Sequence, residues 1–166
     1  FREEVLDRLP EALREFVLIT SAFPSLDPEL CASVLGDDNA EDSIQVLALH
    51  GAFVMRVASF DSHLRYHRMF AEAVIGIARR ELGAARLHEM CSRAACILAD
   101  RSRVGEALEL AARARDWELA TRCAVRFVQN PEDQDHVDIV KRKLDLLPRD
   151  ILVGTDVLAY AYIQAC

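Results

Sequence analysis

A single change of period governs what this chain can become. Over most of its 166 residues, apolar side chains recur at helical spacing, and only across residues 53–66 does the pattern become strand-like. Before that break, Leu13, Phe16, Val17 and Thr20 form one stripe, with Pro10 at the start of a helix. Asp27-Pro28 then opens a second helix that stops before Gly36: Asp to cap, Pro for the first turn, Gly after the last. A third opens near Asn39-x-x-Asp42, a capping arrangement, and its stripe is Ile44, Leu47, Ala48 and Gly51. Phe53–Val57 and His63–Tyr66 then read as two short strands around a turn at Ala58–Ser62. Three helices followed by a hairpin is the element order of a winged helix.

From His67 onward the helical period returns and stays. Phe70, Ala73, Val74 and Ile77 lead into Leu87, Met90, Cys91, Ala94 and Leu98. Val104, Ala107, Leu108 and Ala111 follow, then Trp117, Ala120, Ala124 and Phe127. Asn130-Pro131 ends that run, Val137, Val140, Leu144 and Leu147 form another ended by Pro148, and a last one passes through Leu158, Ala161 and Tyr162. The breaks at Asp100–Ser102 and Arg115–Asp116 are too short for anything but antiparallel neighbours. Small residues crowd the stripes at Gly105, Ala107, Ala111, Ala112, Ala114 and Ala120, which lets helices approach closely. The expected fold class is mainly α: a winged-helix domain at 1–82, then a TPR-like arm of antiparallel helical repeats at 83–166. Both ends of the sequence lie inside periodic runs, so it reads as a fragment of a longer protein.

Charge separates the two halves. Residues 1–82 hold 8 basic and 14 acidic residues, residues 83–166 hold 12 and 13, and the whole carries a formal −7. A chain built for phosphate backbones shows the opposite balance. The third helix, where a winged helix commonly reads DNA, begins Asp37-Asp-Asn-Ala-Glu-Asp42, four carboxylates that Arg56 and Arg65 do not offset. No direct DNA contact is expected from this face. No apolar run approaches the ~20 residues that cross a bilayer, so no membrane is expected either. The five cysteines (Cys31, Cys91, Cys96, Cys123, Cys166) are odd in number and sit in apolar stretches, which predicts buried reduced thiols and a cytoplasmic location.

Site chemistry is sparse. A phosphate loop needs a Gly-rich turn ending in Lys and Ser/Thr, and the only lysines are Lys141 and Lys143. No nucleotide is expected to be held by this stretch alone, and no catalytic residues are expected, because no Ser or Cys has a nucleophile's local signature. A metal is not expected: His63 and His67 are four apart, but His63 falls in a strand, and a third ligand such as His50 must come from elsewhere. Cys91 and Cys96, five apart on a helix, face different directions. That leaves Leu64-Arg-Tyr-His-Arg-Met-Phe70. Here a strand runs into a helix with Tyr66 and Phe70 inward, and His67 either caps or is satisfied locally, or faces a phosphate from the helix start.

At this segment the sequence resembles a family. Arg65-Tyr-His-Arg-Met-Phe70 with Ala71-Glu72 is similar to the RYHxLFxE stretch of MalT-like regulators, which are STAND-class signalling ATPases also described as large ATP-binding LuxR-type regulators. Leu9-Pro-Glu-Ala-Leu-Arg-Glu-Phe16 with Thr20-Ser21 resembles the opening of their winged helix, and Leu30-Cys31 and Leu47 to Phe53 follow in order. Leu87-His88, Glu106-Ala-Leu108, Ala114-Arg-Asp-Trp-Glu118 and Leu146-Leu-Pro148 resemble the start of their helical arm.

The resemblance implies a transcription-regulating switch. In such proteins an ATPase domain precedes the winged helix and binds ATP or ADP. The winged helix folds onto it and holds the ADP form closed, while a helical sensor follows, takes the inducer and permits self-association. His67 matches the histidine that reaches the ADP β-phosphate in related STAND proteins, and Arg68 stands where those carry an acid. A reading from another class is a helical-repeat adaptor that binds partners without any nucleotide switching.

Overall fold

The computed structural model describes residues 6–49, 53–56, 64–130 and 137–165. The chain divides into two compact units, Phe1–Met90 and Cys91–Cys166.

In the first unit, α1 (Glu11–Thr20) follows Pro10, which stands at its N-cap with extended backbone. It buries the expected Leu13, Phe16, Val17 and Thr20, and Leu18 and Ile19 with them. Helix α2 (Pro28–Leu35) is bounded as its sequence requires. The Asp27 carboxylate accepts the Leu30 N–H at 3.1 Å, Pro28 occupies the first turn, and Gly36 closes the helix at φ 67°. Only glycine takes that left-handed φ without cost, and here its N–H donates to the Ala32 carbonyl at 2.8 Å. Helix α3 (Ala40–Leu49) starts where Asn39 predicts, with a different local bond: the Asn39 backbone and side-chain N–H groups both donate to Asp37 Oδ1, at 2.9 and 3.0 Å. Its inward line is Ala40, Ile44 and Leu47. Ala48, expected on that line, is exposed, because it lies about 100° past Leu47 around the axis. Gly51 falls outside the described residues.

Strands β1 (Val54–Arg56) and β2 (Leu64–Tyr66) pair antiparallel, Val54 opposite Tyr66 and Arg56 opposite Leu64. The expected turn at Ala58–Ser62 lies outside the described residues. A third segment joins this ribbon. Leu26, between α1 and α2, donates its N–H to the Leu64 carbonyl at 2.6 Å in an antiparallel bridge. A one-residue bridge has no alternation to betray it, so nothing in the sequence marks it. Helix α4 (Arg68–Glu81) buries Phe70, Val74, Ile77 and Ala78 and packs on α1. There the Arg14 guanidinium meets the Glu81 carboxylate in a two-pronged pair, one prong at 2.7 Å.

Helix α5 (Ala84–Asp100) contains the boundary between the units. In the second unit, α6 (Val104–Arg113) and α7 (Trp117–Val128) form the tightest helix pair. The left-handed turns before them are made by Ser102 (φ 62°) and Arg115 (φ 55°), and Asp116 caps α7 by accepting the Leu119 N–H at 3.1 Å. A side-chain carbon on Gly105 would lie 3.1 Å from the Phe127 ring, which accounts for the small residue at that crossing. Helix α8 (Val137–Leu144) adds a clasp: Lys143 Nζ donates to the Gly105 carbonyl at 2.9 Å and to Glu109.

Pro148 does not stop this helix, as its position suggests. Helix α8 ends four residues earlier, and Pro148 stands at the N-cap of α9 (Arg149–Gly154), where its missing N–H costs nothing. The last periodic run is thus two helices, because Thr155 takes extended backbone before α10 (Asp156–Gln164). The described residues are mainly helical with one two-stranded antiparallel hairpin. Among the described residues no helix is long and apolar enough to cross a membrane.

Candidate functional site: His67 and the start of α4

His67 is the N-cap of α4, and its backbone is held from both sides. Its N–H donates to the Phe53 carbonyl at 2.8 Å, which continues the β1–β2 ladder by one step. Its own carbonyl accepts the N–H groups of Phe70 and Ala71, each at 2.9 Å. The flanking side chains lock the segment. Phe70 stacks on Phe53 with ring centroids 4.6 Å apart and lies 5.6 Å from the Tyr66 ring. Tyr66 and Phe70 are buried, as the sequence requires.

The Tyr66 hydroxyl lies 2.9 Å from Thr20 Oγ1 at the end of α1. Thr20 spends its single proton on the Phe16 carbonyl at 2.7 Å, so Tyr66 is the donor in this pair. Burial pushes the Tyr66 phenol far above its ordinary value, with the nearby Cys31 thiol adding to it. The Cys31 thiol is itself pushed up to about 12, chiefly by burial and then by the Asp27 carboxylate. Both groups stay neutral at physiological pH. This inner cluster is absent from the sequence reading; its one trace is a threonine closing an otherwise apolar stripe.

The His67 imidazole is exposed and does not cap its own helix. Beside it, Arg68 pairs outward with Glu72 at 2.8 Å. The first turn of α4 carries no acidic residue, and the Glu72 carboxylate one residue further on is paired with Arg68, so the partial positive charge of the helix start can still favour an anion. Chemically this is a histidine beside an anion-compatible helix end, on a backbone tied to the hairpin and to α1.

The other sequence candidates are not gathered here. His63 and His50 lie outside the described residues, and among the described residues no group of three His, Cys, Asp or Glu is placed to hold a metal. Asp38, Glu41 and Asp42 are exposed at the start of α3, while Asp37 is half-buried. Cys31, Cys91 and Cys123 are buried and lie outside any disulfide. Cys96 corrects the expectation of burial: it is exposed, because five residues past Cys91 puts it on the outer side of α5. Cys166 is outside the described residues.

Serine/threonine-protein kinase PknK of Mycobacterium tuberculosis is 26% identical over 152 residues, which is 92% of this chain and 14% of that protein. PknK of Mycobacterium bovis matches to the same extent. The chain therefore spans about one seventh of the length of these relatives. The match to a family is firmer. Residues 2–86, just over half the chain and all the elements that hold His67, match the MalT winged helix domain, and the chain belongs to that family.

Proposed function

We propose that this chain is the winged-helix and first arm region of a MalT-like STAND regulator, closing on an ADP-bound ATPase domain and linking it to a helical sensor. The observation that carries the reading is His67: exposed, uncommitted to its own helix, and mounted on a backbone fixed at both sides. The nucleotide belongs to the ATPase domain of the parent. The residues present here fit a supporting role, with the imidazole and the acid-free first turn of α4 able to donate to a phosphate oxygen. The exposed carboxylates of α3 support a winged helix kept for contacts within the protein and away from DNA. Because the relatives matched are named as kinases, the reading includes a kinase as the output of the parent beside a LuxR-type helix-turn-helix.

The test is His67→Ala in the full-length protein. A hydrogen bond to a charged group is worth about 1.5–3 kcal/mol, so ADP should dissociate roughly tenfold faster or more, with raised basal activity. Unchanged nucleotide retention and unchanged basal activity would sink the proposal and leave the adaptor reading in its place.

A further inference from the structure

Helices α1 and α4 are tied together at both ends. At one end the Thr20 hydroxyl accepts from Tyr66 at 2.9 Å, one residue before His67. At the other, Arg14 holds Glu81, the last residue of α4, in the two-pronged pair. The next residue of α1, Glu15, reaches past the end of α4 and accepts from Arg86 Nη2 in the first turn of α5, at 2.6 Å. Two adjacent α1 residues of opposite sign therefore hold both sides of the corner at Gly83. That glycine turns with φ 83°, and a side-chain carbon on it would meet nothing within 4 Å. The start of α5, as far as Met90, falls in the first unit, so all of these contacts lie within one compact body.

We propose that α1 is a strut that couples the start of α5 to the placement of His67, with the Glu15–Arg86 pair as its release. Three observations carry this. First, the corner at Gly83 is open, so the Arg14 and Glu15 pairs hold the start of α5 where packing at the glycine does not. Second, every residue of α1 from Phe16 to Thr20 is buried. A helix packed in this way shifts as a body, and a displacement at Glu15 is carried to Thr20, then to Tyr66 and the His67 backbone beside it. Third, the release is easily worked. The Glu15 and Arg86 side chains are half-exposed, so both have water to turn to when the pair opens, and such a pair shifts an equilibrium only about twofold to fivefold. The strut thus has two arrangements, pair closed and pair hydrated. The inference rests on the proposed role of His67 for its use in regulation, while the coupling itself needs no nucleotide.

The experiment is amide hydrogen exchange in the full-length protein, read by mass spectrometry on overlapping peptides. Arg86→Glu sets like charges against each other at residues 15 and 86. It should speed exchange across residues 66–71 about threefold, the scale of one exposed ion pair, and leave residues 28–35 of α2 unchanged. Glu15→Arg combined with Arg86→Glu rebuilds the pair in reverse and should restore the original rate. No change at residues 66–71 overturns the proposal. Equal acceleration at residues 28–35 also overturns it, in favour of general loosening, and so does a double variant that exchanges as fast as Arg86→Glu alone. The readout is the backbone around His67 and not the nucleotide. Failure of the strut and failure of ADP retention in His67→Ala are therefore read separately.

Discussion

The Thr20–Tyr66 pair makes unequal predictions for its two partners. Tyr66 donates to Thr20, and Thr20 donates to Phe16, so removing the tyrosine hydroxyl leaves every remaining polar group with a partner except one lone pair of Thr20. Tyr66→Phe should therefore cost about 1 kcal/mol, the usual net worth of one hydrogen bond. Thr20→Val keeps the shape but strands a phenol O–H where the surroundings are almost wholly buried, Thr20 being 0% and Tyr66 5% exposed. That desolvated donor costs about 1–3 kcal/mol, so Thr20→Val should be the more damaging change. In the double variant both polar groups leave together, and its cost should fall below the sum of the singles by about 1 kcal/mol. Urea denaturation followed by far-ultraviolet circular dichroism measures all three. Equal costs for the single variants, or strict additivity, would refute the donor assignment on which the argument rests.

Other expectations follow from the same geometry. Gly36→Ala should cost about 1–2 kcal/mol, because φ 67° is strained for any β-carbon even though nothing lies within 4 Å of it, and Gly36→Asn should cost less. Asp27→Ala removes the α2 cap and should cost about 0.5–2 kcal/mol in the same assay. Maleimide should label Cys96 quickly in a Cys166→Ser background and leave Cys31, a buried thiol held near 12, unlabelled until the fold opens. Glu81 is held below its ordinary 4.5 by bonds from Arg14, and Asp145 below 3.8 by the Tyr162 hydroxyl and Lys141. Depressed carboxylates contribute stability above those values and lose it as pH falls through the lower folded ones. An acid titration should thus show a loss below about pH 4.5 that shrinks in Glu81→Gln and in high salt.

The helices were legible because each is written more than once. Asp27, Pro28 and Gly36 name the two ends of α2, and the stripe between them names its inner face. What stayed hidden depends on partners far along the chain. Leu26 gives no sign of bridging Leu64, since one backbone bond needs no particular side chain. Ala48 and Cys96 read as inward from the sequence because small and apolar residues suit either side of a helix; only the neighbours decide. Pro148 reads equally well as a stop or as a start, and the structure uses it as a start. His67 stood out through resemblance, while the pattern alone left its side chain undecided between local and external bonds.

The lone bridge from Leu26 to Leu64 bears on how this unit assembles. It closes a loop of 38 residues (64 minus 26) around α2 and α3, and the Thr20–Tyr66 bond spans 46. Chain entropy opposes such closures until several contacts form together, so the ribbon should come late, after the helices it encloses. His67 sits one residue beyond the ribbon and takes its N–H partner from it. Its position is therefore a readout of completed folding: a winged helix with its ribbon unzipped keeps most of its helices and loses the placement of His67.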